Sequence, residues 1–170
     1  MPGGFDSPLR HGRRFVTLAG MKPRLPRLST RALILSEGRL LLVNAYPGGI
    51  SDLWCAPGGG VEAGRSLPEN LVREVHEETG LTVSVGLLAL VNEFHDPATG
   101  FHQVDLFFRC DIAAGAIADD WRDPANVVTE RRFFSRGEMA SIRFKPDSLA
   151  EIAFSAPGPA HYDPLEIIVK

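Results

Sequence analysis

Three glutamates, Glu74, Glu77 and Glu78, occupy positions i, i+3 and i+4 of the short segment Arg73-Glu74-Val75-His76-Glu77-Glu78. On a helix this spacing makes them surface neighbours, and each such like-charge pair destabilises by roughly 0.2–0.5 kcal/mol. A divalent cation removes that repulsion. Hard oxygen donors select Mg²⁺, with Mn²⁺ as the alternative, over Zn²⁺. Mg²⁺ commonly joins one or two carboxylates to substrate phosphate oxygens, so the implied chemistry is at phosphorus. Glutamate-rich helices are also ordinary solvated surface, so the flanking residues must decide between the two readings.

Immediately upstream lies Pro57-Gly58-Gly59-Gly60-Val61-Glu62-Ala63-Gly64. Successive glycines let the backbone approach a ligand and turn amides and carbonyls toward a metal or phosphate, which makes Gly59 and Gly60 candidate substrate contacts. Arg31 and Arg132 are candidate phosphate contacts. Trp54, Phe101 and Phe108 are candidates for an apolar wall against a base, or else core. His102, Gln103 and Asp105 fall in an apolar-rich run read as a strand, and offer polar groups either to a cleft or to solvent.

The elements that must position these groups are legible. Ser66-Leu67-Pro68-Glu69 reads as a helix start, with Ser66 as N-cap, Pro68 in the first turn and Glu69 closing a capping box; Gly80 supplies the stop. Leu71, Val72, Val75 and Thr79 then share one arc and the three glutamates the adjoining one. Residues 30–36 and 39–45 read as strands joined at Glu37-Gly38, with a short extended piece at 53–56. Long strands are expected at 81–94 and 101–112, around a turn at Asp96-Pro97, and another at 127–134. Helical pieces are expected at 136–141 and 147–154. This order predicts a mixed α/β architecture, an α+β sandwich.

The glycine Gly59 followed by Arg73-Glu74-Val75-His76-Glu77-Glu78-Thr79-Gly80-Leu81 resembles the Nudix box, and the flanking Trp54, Pro57 and strand order resemble that family over residues 28–154. The resemblance implies a mixed sheet flanked by helices, carrying a catalytic loop-helix motif. It makes Glu74 and Glu78 metal ligands with the Gly58 carbonyl, and leaves Glu77 for the metal or for the attacking water. Arg73, Glu74 and Glu77 become the catalytic set, without naming the general base. Glu130 resembles a later family position from which a fourth carboxylate reaches the metal; a surface salt bridge is the other reading. The implied activity is Mg²⁺-dependent hydrolysis of a diphosphate linkage in a nucleoside diphosphate joined to another moiety. A binding-only sensor of nucleotide metabolites is the alternative. One position departs from the pattern: Arg65 stands where the family has a glutamate that commonly pairs with the box arginine, so Arg73 must pair with Glu69 or Glu62 instead.

The whole chain fits this reading. Its 170 residues, 44% hydrophobic and 23% charged, suit one globular domain. A net charge of −3 provides no field for nucleic acid, so any polyanionic substrate must be held by local groups; the resemblance implies a small nucleotide-like substrate, and a monomer or homodimer is expected. Cys55 and Cys110 lack metal-ligand spacing and read as reduced thiols of a cytoplasmic protein; no apolar run is long enough for a membrane helix. Residues 1–27 form a basic extension with Arg10, Arg13, Arg14, Lys22, Arg24 and Arg27, within which Met21 is a candidate start. Residues 28–154 are the hydrolase domain and 155–170 a closing segment.

Overall fold

The computed structural model describes residues 25–44, 46 and 50–169; Met21 and the basic residues before Leu25 lie outside them. Strand β1 (Arg27–Ser36) turns into β2 (Arg39–Asn44) through Glu37 and Gly38, at φ 50° and 70°. Positive φ at both central residues is what a two-residue hairpin with the natural strand twist requires.

Beyond the hairpin come β3 (Leu53–Cys55) and β4 (Gly58–Gly60), helix α1 (Leu67–Thr79), and the long strands β5 (Thr82–Asp96) and β6 (Phe101–Ala114). Then follow β7 (Arg131–Ser135), α2 (Arg136–Met139), β8 (Arg143–Phe144), α3 (Leu149–Phe154), β9 (His161–Tyr162) and β10 (Glu166–Ile167). The sheet runs β10-β5-β6-β1-β2-β3-β8, with β4 on β1, β7 on β2 and β9 on β5. β1 is the hub. It lies parallel to β6 from Arg27↔Gln103 to Ile34↔Cys110, and its other edge takes β4 at Ser29–Arg31 and β2 at Leu35–Ser36.

The near-continuous apolar runs of β1 and β2 are explained by burial on both faces. Ala32, Ile34 and Leu41 pack with Leu71 and Val75 of α1. Leu33, Leu40 and Leu42 point the other way, toward Phe134, Met139 and Leu149 of the α2–α3 side. Each fully buried side chain of this kind contributes about 1.5–3 kcal/mol, so α1 is anchored chiefly by Leu71 and Val75. The expected sandwich is what forms.

Most element ends shift by only a few residues, and the larger departures have physical causes. Strand β7 begins at Arg131 rather than Val127, because side chains take up the backbone donors before it: Asp123 accepts from the N–H groups of Ala125, Val127 and Val128, and Asn44 from those of Thr129 and Glu130. The closing segment also joins the sheet, since β9 and β10 both pair in parallel with β5.

Candidate active site

The helix that carries the glutamates is fixed at both ends. At its start Ser66 and Glu69 form the reciprocal capping box, and at its end Gly80 takes φ 76° and donates to the His76 carbonyl. Trp121 donates through Nε1 to the Glu77 carbonyl at 3.0 Å, and Arg131 through Nε to that of Glu78. The 121–131 loop therefore satisfies carbonyls that a helix C-terminus leaves unpaired.

Glu78 turns toward β4 and accepts a 2.8 Å hydrogen bond from the Gly58 N–H. Burial pushes its carboxyl up to about 7, helped by the charges of Glu74 and Asp123, while Arg31 and the Gly58 N–H pull the other way. Gly58 is sterically required here, and Gly59 leaves the space that the Glu74 carboxylate fills. A Cβ on Gly58, at φ 140°, would stand 2.1 Å from the Thr30 carbonyl oxygen, and one on Gly59 2.3 Å from the Glu74 carboxylate.

Arg73 lies across the acidic face, 2.7 Å from Glu74, 3.0 Å from Glu77 and 3.6 Å from Glu62. Glu62 is thus its loop partner, and Glu69 is occupied by Ser66. Arg65 also reaches Glu62, at 3.4 Å, so it lies at the edge of the same cluster. The loop is held to the helix chiefly by Asn70, a buried residue that sequence reasoning missed. Its Oδ1 accepts from the Glu62 N–H at 2.9 Å while its Nδ2 donates to the Ser66 carbonyl at 2.8 Å.

Behind the loop, Arg31 donates to the Gly58 carbonyl at 2.9 Å and contacts Asp105 at 3.4 Å. Gln103 donates to Asp105 at 2.9 Å and accepts from Arg27 at 3.0 Å. This chain crosses the floor of a cleft of about 400 Å³. Gly58, Gly59, Gly60, Glu74, Glu77 and Glu78 line it on the α1 side, and Arg31 and Asp105 line it on the floor.

Several candidates lie elsewhere. Trp54 packs edge-on against Phe134 at 5.0 Å between ring centres, within the α2–α3 core and away from the cleft. Glu130 is exposed and does not line the cleft; from the same loop Asp123 does, and its sequence signal is the Asp-Pro turn start at Asp123-Pro124. Arg132 pairs with Glu138 at 2.9 Å and covers the Phe134 ring. Of the alternating set, Gln103 and Asp105 face the cleft while His102 turns to Glu93 at 3.1 Å. Phe101 lines the cleft and Phe108 packs in the α1 core. Pro97 sits in a turn in which the Asp96 side chain accepts from the Ala98 N–H.

Among the described residues no three acidic, histidine or cysteine side chains already converge on a metal position. The donor chemistry nonetheless fits a hard cation. The charges of Glu74 and Asp123 raise the proton affinity of the buried Glu78, only oxygen donors are among the three, and a divalent ion would relieve that repulsion.

The comparisons agree with this geometry. The NUDIX domain model matches residues 25–153. A putative ADP-ribose pyrophosphatase of Bacillus subtilis is 31% identical over 93 residues, which are 53% of this chain and 43% of that protein. Diphosphoinositol polyphosphate phosphohydrolase 2 of Mus musculus is 30% identical over 115 residues, 68% of this chain and 59% of the relative. This chain therefore spans about half the length of these two relatives. The crystal structure of a UDP-X diphosphatase superposes with a TM-score of 0.64 at 22% identity, covering 84% of this chain and 70% of that one, a likeness of fold. Glycine loop, capped glutamate helix and matched span lead to one conclusion: this chain belongs to the Nudix family.

Proposed function

We propose that the protein hydrolyses the diphosphate linkage of a nucleoside diphosphate joined to another moiety, with Mg²⁺, or Mn²⁺ in its place, as cofactor. The observation that carries this reading is the meeting of Glu74, Glu77 and Glu78 with the Gly58–Gly60 backbone on one side of a single cleft. Relatives named for cleaving different diphosphates share the family, so the linkage is the common element and the attached group varies.

Glu74 and Glu78 would hold the metal together with the Gly58 carbonyl, which also accepts from Arg31 at 2.9 Å. When bound, the ion supplies charge neutralisation at the diphosphate oxygens and acidifies the attacking water. Glu77, paired with Arg73 at 3.0 Å, would serve as a further metal ligand or orient that water, with the proton taken by one of the cleft carboxylates. The Gly59 and Gly60 backbone lets phosphate oxygens approach closely, and Arg27 and Arg31 on the floor offset their charge.

The test is product release from nucleoside triphosphates, ADP-ribose, nucleotide sugars and dinucleoside polyphosphates, with Mg²⁺ and with EDTA. Cleavage that requires the metal and falls about 10³-fold in Glu78→Gln is expected, since a metal's charge stabilisation is worth several kcal/mol of barrier. Absence of cleavage across the panel, with some compound still raising the melting temperature, would establish the binding-only reading. That reading is favoured by one observation, the pairing of Arg73 with two of the three box glutamates.

A further inference from the structure

We propose that β10, with Lys145 and Asn92, forms the subsite that selects the group beyond the diphosphate, and that this group is a nucleoside. The inference rests on the hydrolase reading for the location of the diphosphate. Within this wall, β10 lies beyond residue 153, where the family model's match ends, while Asn92, Phe94, Phe101 and Lys145 lie inside it.

The register places it. Glu166 pairs with Phe94, Phe94 with Gln103 and Gln103 with Arg27, so these four residues form one row across β10, β5, β6 and β1. All four line the cleft. The glycine strand β4 lies on the far side of β1. By strand order β10 lies four strands from β4. A diphosphate held at β4 and α1 therefore presents its attached group, and not its phosphorus atoms, to Glu166.

The chemistry at that end suits a nucleoside. Glu166 accepts from Lys145 at 2.8 Å and from Asn92 at 3.3 Å, and its side chain remains 23% exposed. A carboxylate has about four acceptor sites, so it retains capacity for a hydroxyl or an exocyclic amine. Lys145 is already balanced by Glu166 and Asp147, which leaves little cationic charge to attract a polyphosphorylated group. Phe94 and Phe101, with ring centres 6.1 Å apart, and the 64% exposed Ile167 supply apolar surface for a flat base. The strand is held down at its end, where Ile168 donates to the His95 carbonyl and the Tyr46 hydroxyl to that of Val169.

The test measures binding of adenosine and uridine monophosphates, and of inorganic phosphate, to the full chain in Mg²⁺, for wild type, Glu166→Gln and Ile167→Ala. The subsite predicts nucleotide binding weakened about tenfold by Glu166→Gln and about threefold by Ile167→Ala, with phosphate affinity held. Ile167→Ala alters an exposed side chain, so it keeps the test decisive if Glu166→Gln melts early. Nucleotide affinities equal to wild type in both variants, or a wild type that binds the nucleotides no better than phosphate, would overturn the proposal. Selective nucleotide binding without turnover of any diphosphate would instead overturn the hydrolase reading and leave the subsite standing.

Discussion

Glu78 carries a buried charge that its protein neighbours do not fully compensate. Its carboxyl is desolvated and faces two other acids, and one arginine and one backbone amide do not fully offset this. A glutamine there can still accept the Gly58 hydrogen bond while removing the buried charge. Glu78→Gln in EDTA at pH 8 is therefore expected to gain about 1 kcal/mol, a rise of roughly 2–4 °C in melting temperature. Differential scanning calorimetry checks this, and a variant that melts well below wild type would show that the charge itself stabilises the fold. Substitution of the box glutamate by Arg65 can be followed at the same scale. Arg73 takes Glu62, Glu74 and Glu77 as partners, and Asn70 holds the loop. The three glutamates and their glycine loop were legible in the sequence because their spacing is the signal. Asn70 was not, because a buried asparagine in a helix becomes informative only once the carbonyls and amides around it are located.

At the level of elements, caps and turns were the best-read features, since each is decided within four residues. Ser66, Pro68, Glu69, Gly80 and the Glu37-Gly38 hairpin all form as their local chemistry dictates. A second capping box, less conspicuous in sequence, joins β7 to α2. Glu138 accepts from the Ser135 N–H and hydroxyl at 2.8 Å, and Arg39 and Arg132 lie 2.9 Å from it. These bonds, the backbone one first, pull its carboxyl down from 4.5 to about 2. A carboxyl with a lowered folded pKa stabilises the fold above its unfolded value, and that contribution disappears as the pH falls from about 4.5 toward 2. Glu138→Gln is expected to lower stability at pH 7 and to flatten the acid limb over this window. Urea titrations at pH 7, 4 and 2.5 measure it, and parallel losses for both proteins at every pH would sink the assignment. The 123–130 loop and the pairing of β10 were unreadable for the opposite reason: Asp123, Asn44 and β5 acquire their partners only through the tertiary fold.

Across the whole molecule, the cleft is assembled from pieces far apart in the chain. Arg27 meets Gln103 across 76 residues, Arg31 meets Asp105 across 74, and Glu78 reaches Gly58 across 20. The sandwich was legible because both of its cores announce themselves as apolar runs. The floor of the site was not, because it exists only where β1 lies parallel to β6. That pairing also has a kinetic consequence. Loop closure over such separations must precede any reward from the contacts, so parallel non-local strands form slowly. The hairpin of β1 and β2 and the capped helix are local and can form early, whereas the site cannot exist in any state lacking the β1–β6 seam. In refolding from urea, helical signal should return ahead of nucleotide binding, and binding should track the slowest phase, as stopped-flow circular dichroism beside ligand fluorescence can show. Occupancy of this cleft would then report completed folding, and a newly made chain could not bind nucleotide until residues 103–110 had joined β1.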